Sequence, residues 1–184
     1  NMDPETISNA EAALLGLLAE KPKHPYQIEK DVEYREMRTW TDLSMSSIYK
    51  LLKKLEDQDL VSSEIALTED NRARKIYSIS EAGRECLEIK LRALLRRPEV
   101  LKDPFHLGIY NADILKQDEL ISCLEFYRES VVEMIAGYGR LKDFLTEQNC
   151  SAVRLAVAIR PAYQWEGVLK WLDEFLPGLK AELK

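Results

Sequence analysis

The stretch SMSSIYKLLKKLEDQDLV, residues 44–61, decides the fold because its two sides differ in character. At about 100° of rotation per residue, its apolar side chains fall within about 60° of Ile48 on one helical face. These predicted core residues are Met45, Ile48, Leu51, Leu52 and Leu55. The opposite side is polar and basic, and it comprises Ser46, Lys50 and Lys53, with Ser47 and Lys54 on its flanks and Tyr49 at its edge. With Ser44 as N-cap, the pattern predicts a helix over residues 45–58 that buries one face and presents the other.

Two shorter helices are predicted before this stretch. Ser8 and Glu11 have the spacing of a capping box, in which each side chain bonds the backbone N–H of the other, and they begin a helix over residues 8–20. Pro25 suits the first turn of a second helix, because the N–H that proline lacks would have no partner within the helix at that position. This second helix is expected to end near residues 34–36.

A β-hairpin and a further helix are predicted after the opening stretch. Residues 60–68 and 74–80 are rich in strand formers and flank a polar turn at residues 69–73. Ser80 then suits the N-cap of a helix over residues 81–96. Three helices followed by a hairpin and a helix are the order of a winged helix-turn-helix domain.

Two basic groups fall on consecutive elements of this predicted domain. In a helix that enters the major groove of DNA, the side chains expected near base edges or adjacent phosphates are Ser46, Ser47, Tyr49 and Lys50. The side chains expected to neutralise phosphates lie on the helix and the hairpin, and they are Lys53, Lys54, Arg72, Arg74 and Lys75. The net charge of −6 does not exclude DNA, because a binding surface is a local feature. Lysines on an outer helix face are often merely solvated, so a winged helix that docks an acidic protein partner stays open as the alternative.

These residues carry a resemblance to a known family. SSIYKLLKKLEDQDLV at residues 46–61 and RARKIYSISEAG at residues 72–83 resemble the PadR family of bacterial transcriptional regulators, as does AALLGLLAEKPKHPYQI at residues 12–28. Two departures are visible, since Pro25 and Asp59 stand where the family usually has glycine. Pro25 fits the first helical position and Asp59 can adopt a left-handed cap, so the fold prediction is unchanged.

The resemblance implies double-stranded operator DNA as partner, repression by occlusion of a promoter, and homodimers joined through the N-terminal helix and the C-terminal domain. It also implies, for some members, release of DNA on binding a small hydrophobic or aromatic effector. Trp40, Tyr163, Trp165 and Trp171 could line a pocket for such a molecule, although aromatic residues at helical spacing are more often core.

The C-terminal half carries a heptad pattern. Apolar residues alternate at spacings of four and three, and we refer to them as the seam: Leu120, Leu124, Tyr127, Val131, Met134, Tyr138, Leu141 and Leu145. A 3.5-residue repeat favours lengthwise packing against another helix, either in a dimer interface or in a hairpin with the following segment of the same chain. Pro161 is expected to kink or break that following segment, and Pro104 to start a short helix ahead of the seam.

Composition limits the other functional classes. Hydrophobic residues make up 46% and charged residues 32% of the 184 residues, as in globular domains. The sequence has no HExxH, GxSxG or phosphate-binding glycine-rich motif, and its three cysteines are widely spaced, so we predict no enzyme, metal or cofactor. Neither a signal peptide nor a membrane span is indicated, which makes the cytoplasm the expected compartment. The prediction is a mainly α protein with a small β-hairpin, comprising a winged helix-turn-helix DNA-binding domain at residues 1–97 and a helical dimerisation domain at residues 98–184, for which an effector site stays open.

Overall fold

The computed structural model describes residues 7–67, 73–98 and 102–182. The chain divides into two compact units, residues 1–100 and 101–184. The first contains α1 (Asn9–Glu20), α2 (Pro25–Tyr34), a 3₁₀ turn (Met37–Thr39), α3 (Met45–Asp57), β1 (Val61–Leu67), β2 (Ala73–Ile79) and α4 (Glu81–Arg96). The second contains α5 (Pro104–Tyr110), a 3₁₀ turn (Ala112–Ile114), α6 (Gln117–Glu147) and α7 (Ala152–Ala181). The predicted mainly α fold with one hairpin is confirmed.

Local capping sets the starts of the helices in the first unit. Ser8 Oγ accepts from the Glu11 N–H at 3.2 Å, and Glu11 Oε2 accepts from the Ser8 N–H at 2.6 Å. Ser44 caps α3 and Ser80 caps α4 in the same way, each accepting a backbone N–H three residues later. These contacts satisfy N–H groups that the first helical turn leaves without partners, so the helices begin where the sequence predicts.

The core of the first unit lies under α3. Ile48, Leu52 and Leu55 are buried against leucines of α1 and against Ile28 of α2. Met45, which was predicted in the core, is instead 50% exposed. It is the first residue of α3 and extends beyond the buried stripe. The helix ends at Asp57, and Asp59 has the predicted left-handed conformation with φ of 57°.

The hairpin is fixed at its base. Strands β1 and β2 pair antiparallel, with Ser63 opposite Tyr77. Lys23, between α1 and α2, exchanges two backbone hydrogen bonds with Tyr77, of 3.0 and 2.9 Å, so the first loop adds a short pairing to the second strand. A Cβ atom on Gly83 would lie 2.1 Å from the carbonyl oxygen of Leu60, so only glycine fits where α4 crosses the base of the hairpin.

In the second unit, α6 and α7 form an antiparallel hairpin. Gln117 near the start of α6 bonds the Leu179 carbonyl near the end of α7 at 2.8 Å, and the Arg128–Asp173 ion pair at 2.7 Å follows further along. Helix α7 runs through Pro161 without a break, which corrects one of the two outcomes expected there. Proline removes one hydrogen bond from the helix, and after Pro161 the α7 side chains between Trp165 and Leu179 pack in the core that α7 shares with α6. In the part of the chain that the structure describes, no helix is long and apolar enough to cross a membrane.

Candidate nucleic-acid interface

The outer face of α3 is open to solvent over its first three turns. Ser46, Lys50 and Lys53 are exposed, and Tyr49 is 57% exposed. Among the described residues, neither of these two lysines takes part in an ion pair. The acids of α3 are confined to its last turn, at Glu56 and Asp57. The helix therefore presents two uncompensated cations, a phenol and a hydroxyl on one continuous face, a composition that suits phosphates and base edges.

Ser47 takes part in the cap that starts this helix. Its hydroxyl donates to the Ser44 carbonyl at 2.7 Å and accepts from the Ser44 N–H at 2.9 Å. Its own N–H donates to Ser44 Oγ at 3.2 Å. The structure thus gives the Ser47 side chain a structural role in addition to the DNA contact predicted for it.

Lys54 has a partner inside the domain. Its Nζ atom lies 2.7 Å from Oε1 of Glu11, whose residue is only 1% exposed. Burial alone would raise the pKa of Glu11, but Lys54 and the Ser8 N–H and hydroxyl outweigh burial and hold that pKa below its usual value of 4.5. Helix α3 is therefore joined to α1 by a buried carboxylate. Sequence reasoning assigned Glu11 to the cap only, because 43 residues separate the partners and no local pattern links them.

The basic residues of the wing are engaged to different degrees. Arg72 lies outside the described residues. Arg74 places Nη1 at 3.4 Å from Nε2 of His24, at the start of α2. Lys75 forms an ion pair of 2.7 Å with Glu56 at the end of α3. The hairpin thus contacts both helices of the helix-turn-helix through side chains that were predicted to contact phosphate.

The start of α2 carries polar groups that sequence reasoning left unassigned. His24 is the N-cap, and its Nδ1 accepts from the Gln27 N–H at 3.2 Å. Its ring is parallel to that of the exposed Tyr26 with centroids 6.1 Å apart, and Lys30 Nζ lies 4.7 Å from the Tyr26 centroid. The position of His24 directly before a proline at N1 was the available signal for the cap.

The seam residues fall into two groups. Leu120, Leu124, Tyr127 and Val131 pack against α7 of the same chain, and Leu124 and Val131 are fully buried there. Further along, Met134 is 39% exposed, and the other three are partly buried: Tyr138, Leu141 and Leu145. The hairpin alternative therefore accounts for the first half of the seam.

Of the aromatic residues considered for an effector pocket, Trp40 belongs to the first unit and the other three to the second. Trp40 and Tyr163 are exposed, whereas Trp165 packs in the core of the second unit. Trp171 lies edge-on to Phe105 with centroids 5.8 Å apart, and it stacks on Phe175 at 5.2 Å. Within the described ranges, no group of histidine, cysteine or acidic residues is placed to hold a metal ion.

A winged helix-turn-helix with an exposed basic third helix defines a class of nucleic-acid-binding regulators. Residues 14–89 match the model of the transcriptional regulator PadR-like family. An uncharacterized HTH-type transcriptional regulator of Methanocaldococcus jannaschii is 37% identical over 78 residues, which cover 42% of this chain and 72% of that protein. The negative transcriptional regulator PadR of Bacillus subtilis is 28% identical over 107 residues, 58% of each chain. The chain belongs to the PadR-like family of transcriptional regulators, as the sequence resemblance indicates.

Solved structures show the same fold over nearly the whole length. Bacillus subtilis PadR in complex with operator DNA superposes with a TM-score of 0.75 at 20% identity, covering 92% of this chain and 98% of that one. The same protein in complex with p-coumaric acid gives a TM-score of 0.73 at 20% identity and the same coverage. The likeness extends through α6 and α7, so the fold of the C-terminal unit is shared as well as that of the winged helix.

Proposed function

We propose that this regulator binds operator DNA through the outer face of α3 and the wing. The observation that carries the proposal is the face of Ser46, Tyr49, Lys50 and Lys53, which is exposed and free of acids over three turns. Tyr49 and Ser46 supply base-edge or phosphate contacts, while the lysines neutralise phosphates. The structure of Bacillus subtilis PadR with operator DNA, which has the same fold, supports operator DNA as the partner. By occupying a promoter, the protein would act as a repressor.

Salt dependence tests the phosphate contacts. If a dimer neutralises roughly 6 to 10 phosphates, log affinity falls against log salt with a slope of similar size. Each lysine position lost removes two contacts per dimer, so Lys50→Ala or Lys53→Ala should flatten the slope by about 1.8. Lys170→Ala on α7 is the matched control and should leave the slope unchanged. Salt-independent binding, or none, would favour the alternative of a winged helix that docks an acidic protein.

We also propose that the protein acts as a homodimer. A two-fold pair of α3 helices doubles the length of DNA that is recognised and matches a palindromic operator. The incompletely covered half of the seam, Met134, Tyr138, Leu141 and Leu145, is the part of α6 that we assign to the partner. Leu141→Glu should shift the mass measured by light scattering from dimer toward monomer. Lys142→Glu, which changes the next and exposed residue, should not.

An aromatic effector is the third part of the proposal. The structure of the related PadR with p-coumaric acid supports a ligand of this chemical class. Such a ligand would favour a state in which the two recognition helices no longer match their half-sites, and DNA would be released. Calorimetric titration with p-coumaric acid should show binding, and the same concentration should weaken affinity for the operator. Heats equal to dilution, with unchanged DNA affinity, would exclude this compound as an effector.

A further inference from the structure

We infer that Glu56 withholds Lys75 from the DNA backbone, so that this lysine ties the wing to α3 and Glu56 limits affinity for DNA of any sequence. The inference rests on the proposed DNA binding. It changes the role predicted for Lys75, which was phosphate neutralisation, and it gives a role in binding to an acid on the recognition helix.

Both oxygens of the Glu56 carboxylate have partners on the strands of the wing. Lys75 Nζ lies 2.7 Å from Oε2, and the hydroxyl of Ser63 donates to Oε1. Ser63 is on β1 and Lys75 on β2, so a single side chain at the end of α3 contacts both strands of the wing. Two anchored contacts from two strands set the spacing between the recognition helix and the hairpin.

A second contact holds the ammonium group. Lys75 Nζ lies 4.9 Å from the ring centroid of Tyr77, a geometry that favours a cation. Tyr77 is buried and is bonded through its backbone to Lys23, so the ring is a fixed surface. The lysine is therefore held between a carboxylate and an anchored aromatic ring, and it must leave both to reach a phosphate.

The same contacts shift the pKa values of both charged groups. The ion pair with Lys75 and then the hydrogen bond from Ser63 lower the pKa of Glu56, while Glu56 and then Tyr77 raise the pKa of Lys75. Both groups are therefore ionised throughout the neutral range, and the pair carries no net charge. Lys50 and Lys53 differ from Lys75 in their surroundings, because neither has an acidic partner among the described residues.

The consequence for recognition follows from the nature of phosphate contacts. Such contacts strengthen binding to every sequence and carry no sequence information of their own. Pairing one lysine per subunit with Glu56 lowers the affinity for DNA of unrelated sequence. Discrimination between the operator and other sequences is then left to the side chains on the outer face of α3.

The experiment compares salt slopes on an operator duplex and on a duplex of unrelated sequence. The set comprises the wild-type protein, Glu56→Gln, Lys75→Met, the double variant, and Asp57→Asn. The last removes one negative charge from the neighbouring position of α3, where Asp57 has no ion pair within the described residues. Far-UV circular dichroism and thermal unfolding of each variant establish that it is folded.

The released lysine should form one new contact in each subunit. Glu56→Gln should therefore steepen the slope by about 1.8 per dimer, so that its gain in affinity for the unrelated duplex over the wild type grows about 3.5-fold with each halving of the salt concentration. Lys75→Met should leave the slope unchanged, and in the double variant the gain should disappear. Asp57→Asn should leave the slope as in the wild type.

Two results would overturn the inference while DNA binding stands. One is a slope flattened by Lys75→Met, which would show that Lys75 already contacts phosphate. The other is an equal effect of Glu56→Gln and Asp57→Asn, which would reduce the role of Glu56 to general repulsion. Failure of the wild-type protein to bind DNA would instead refute the proposed function, and the inference with it.

Discussion

Replacing Lys54 by methionine should leave the Glu11 carboxylate buried without its counter-ion. Removing one partner of a fully buried ion pair costs about 3–5 kcal/mol of unfolding free energy. The Lys54 side chain is 52% exposed, so water reaches the site and we expect a smaller loss, of about 2 kcal/mol. Urea denaturation followed by circular dichroism measures this change. Lys53→Met, on the exposed neighbour, is the control and should stay within about 0.5 kcal/mol of the wild type.

The pH dependence of the same variant separates a lost ion pair from lost packing. In the wild type the folded-state pKa of Glu11 lies below 4.5, so its contribution to stability is present above about pH 4.5 and is lost as the pH falls through the lowered value. Without Lys54, one of the contacts that lower the pKa of Glu11 is lost, while burial still raises it. The folded-state pKa of Glu11 therefore rises. Stability contributed by this site should then flatten or decline as the pH rises from about 4 to about 7.

A double variant completes the test. Glu11→Gln keeps an acceptor for the Ser8 N–H and removes the charge, so Glu11→Gln with Lys54→Met should recover most of the stability that Lys54→Met alone loses. The reasoning is refuted if Lys54→Met matches Lys53→Met in stability at every pH. It is also refuted if the double variant is as unstable as the sum of the two single variants.

Three further predictions concern the fold of the first unit. Gly83→Ala should destabilise the protein by about 1–3 kcal/mol in urea denaturation, because its Cβ would lie 2.1 Å from a backbone carbonyl oxygen, while Gly16→Ala, with no atom within 4 Å, should be neutral or stabilising. Asp59→Gly should raise the urea midpoint, with a gain of up to about 1 kcal/mol, because φ is 57° there; a lower midpoint would contradict this. Hydrogen bonding to Arg35 is the main cause that lowers the pKa of Glu20, from 4.5 to about 2, so its stabilising contribution is complete above about pH 4.5 and is lost as the pH falls toward 2. In acid titrations, Arg35→Met should move the midpoint of unfolding to higher pH. An unchanged midpoint would show that the contact between Glu20 and Arg35 does not contribute to stability in acid.

The helix starts and the cap at Asp59 were predictable because they depend on neighbours in sequence. Ser8, Ser44 and Ser80 each bond a backbone N–H three residues later, and a spacing of three is visible in the sequence itself. The predicted order of helices and hairpin followed from these caps together with the change of hydrophobic period. Tertiary packing was needed only to place the elements against each other.

The partners of the basic residues were not predictable from local pattern. Lys54 and Lys75 have the spacing of solvent-facing cations, yet Glu11 and Glu56 neutralise them across 43 and 19 residues of sequence. The sequence also left open which helix packs on the seam, since a heptad repeat predicts an apolar helix face and does not identify the helix that covers it. Helix α7 covers the first half of the seam, and it is continuous through Pro161.

Protection of DNA by the wild-type protein and by Tyr49→Ala tests most directly the claim that α3 recognises a sequence. On the region upstream of its own gene or on selected random DNA, the wild type should protect a palindromic site with half-sites about one helical turn, or 34–36 Å, apart. Tyr49→Ala should lose that selective protection and keep salt-dependent binding to unrelated DNA, because Lys50 and Lys53 remain. Identical protection by both proteins, or no selective protection by the wild type, would contradict the account.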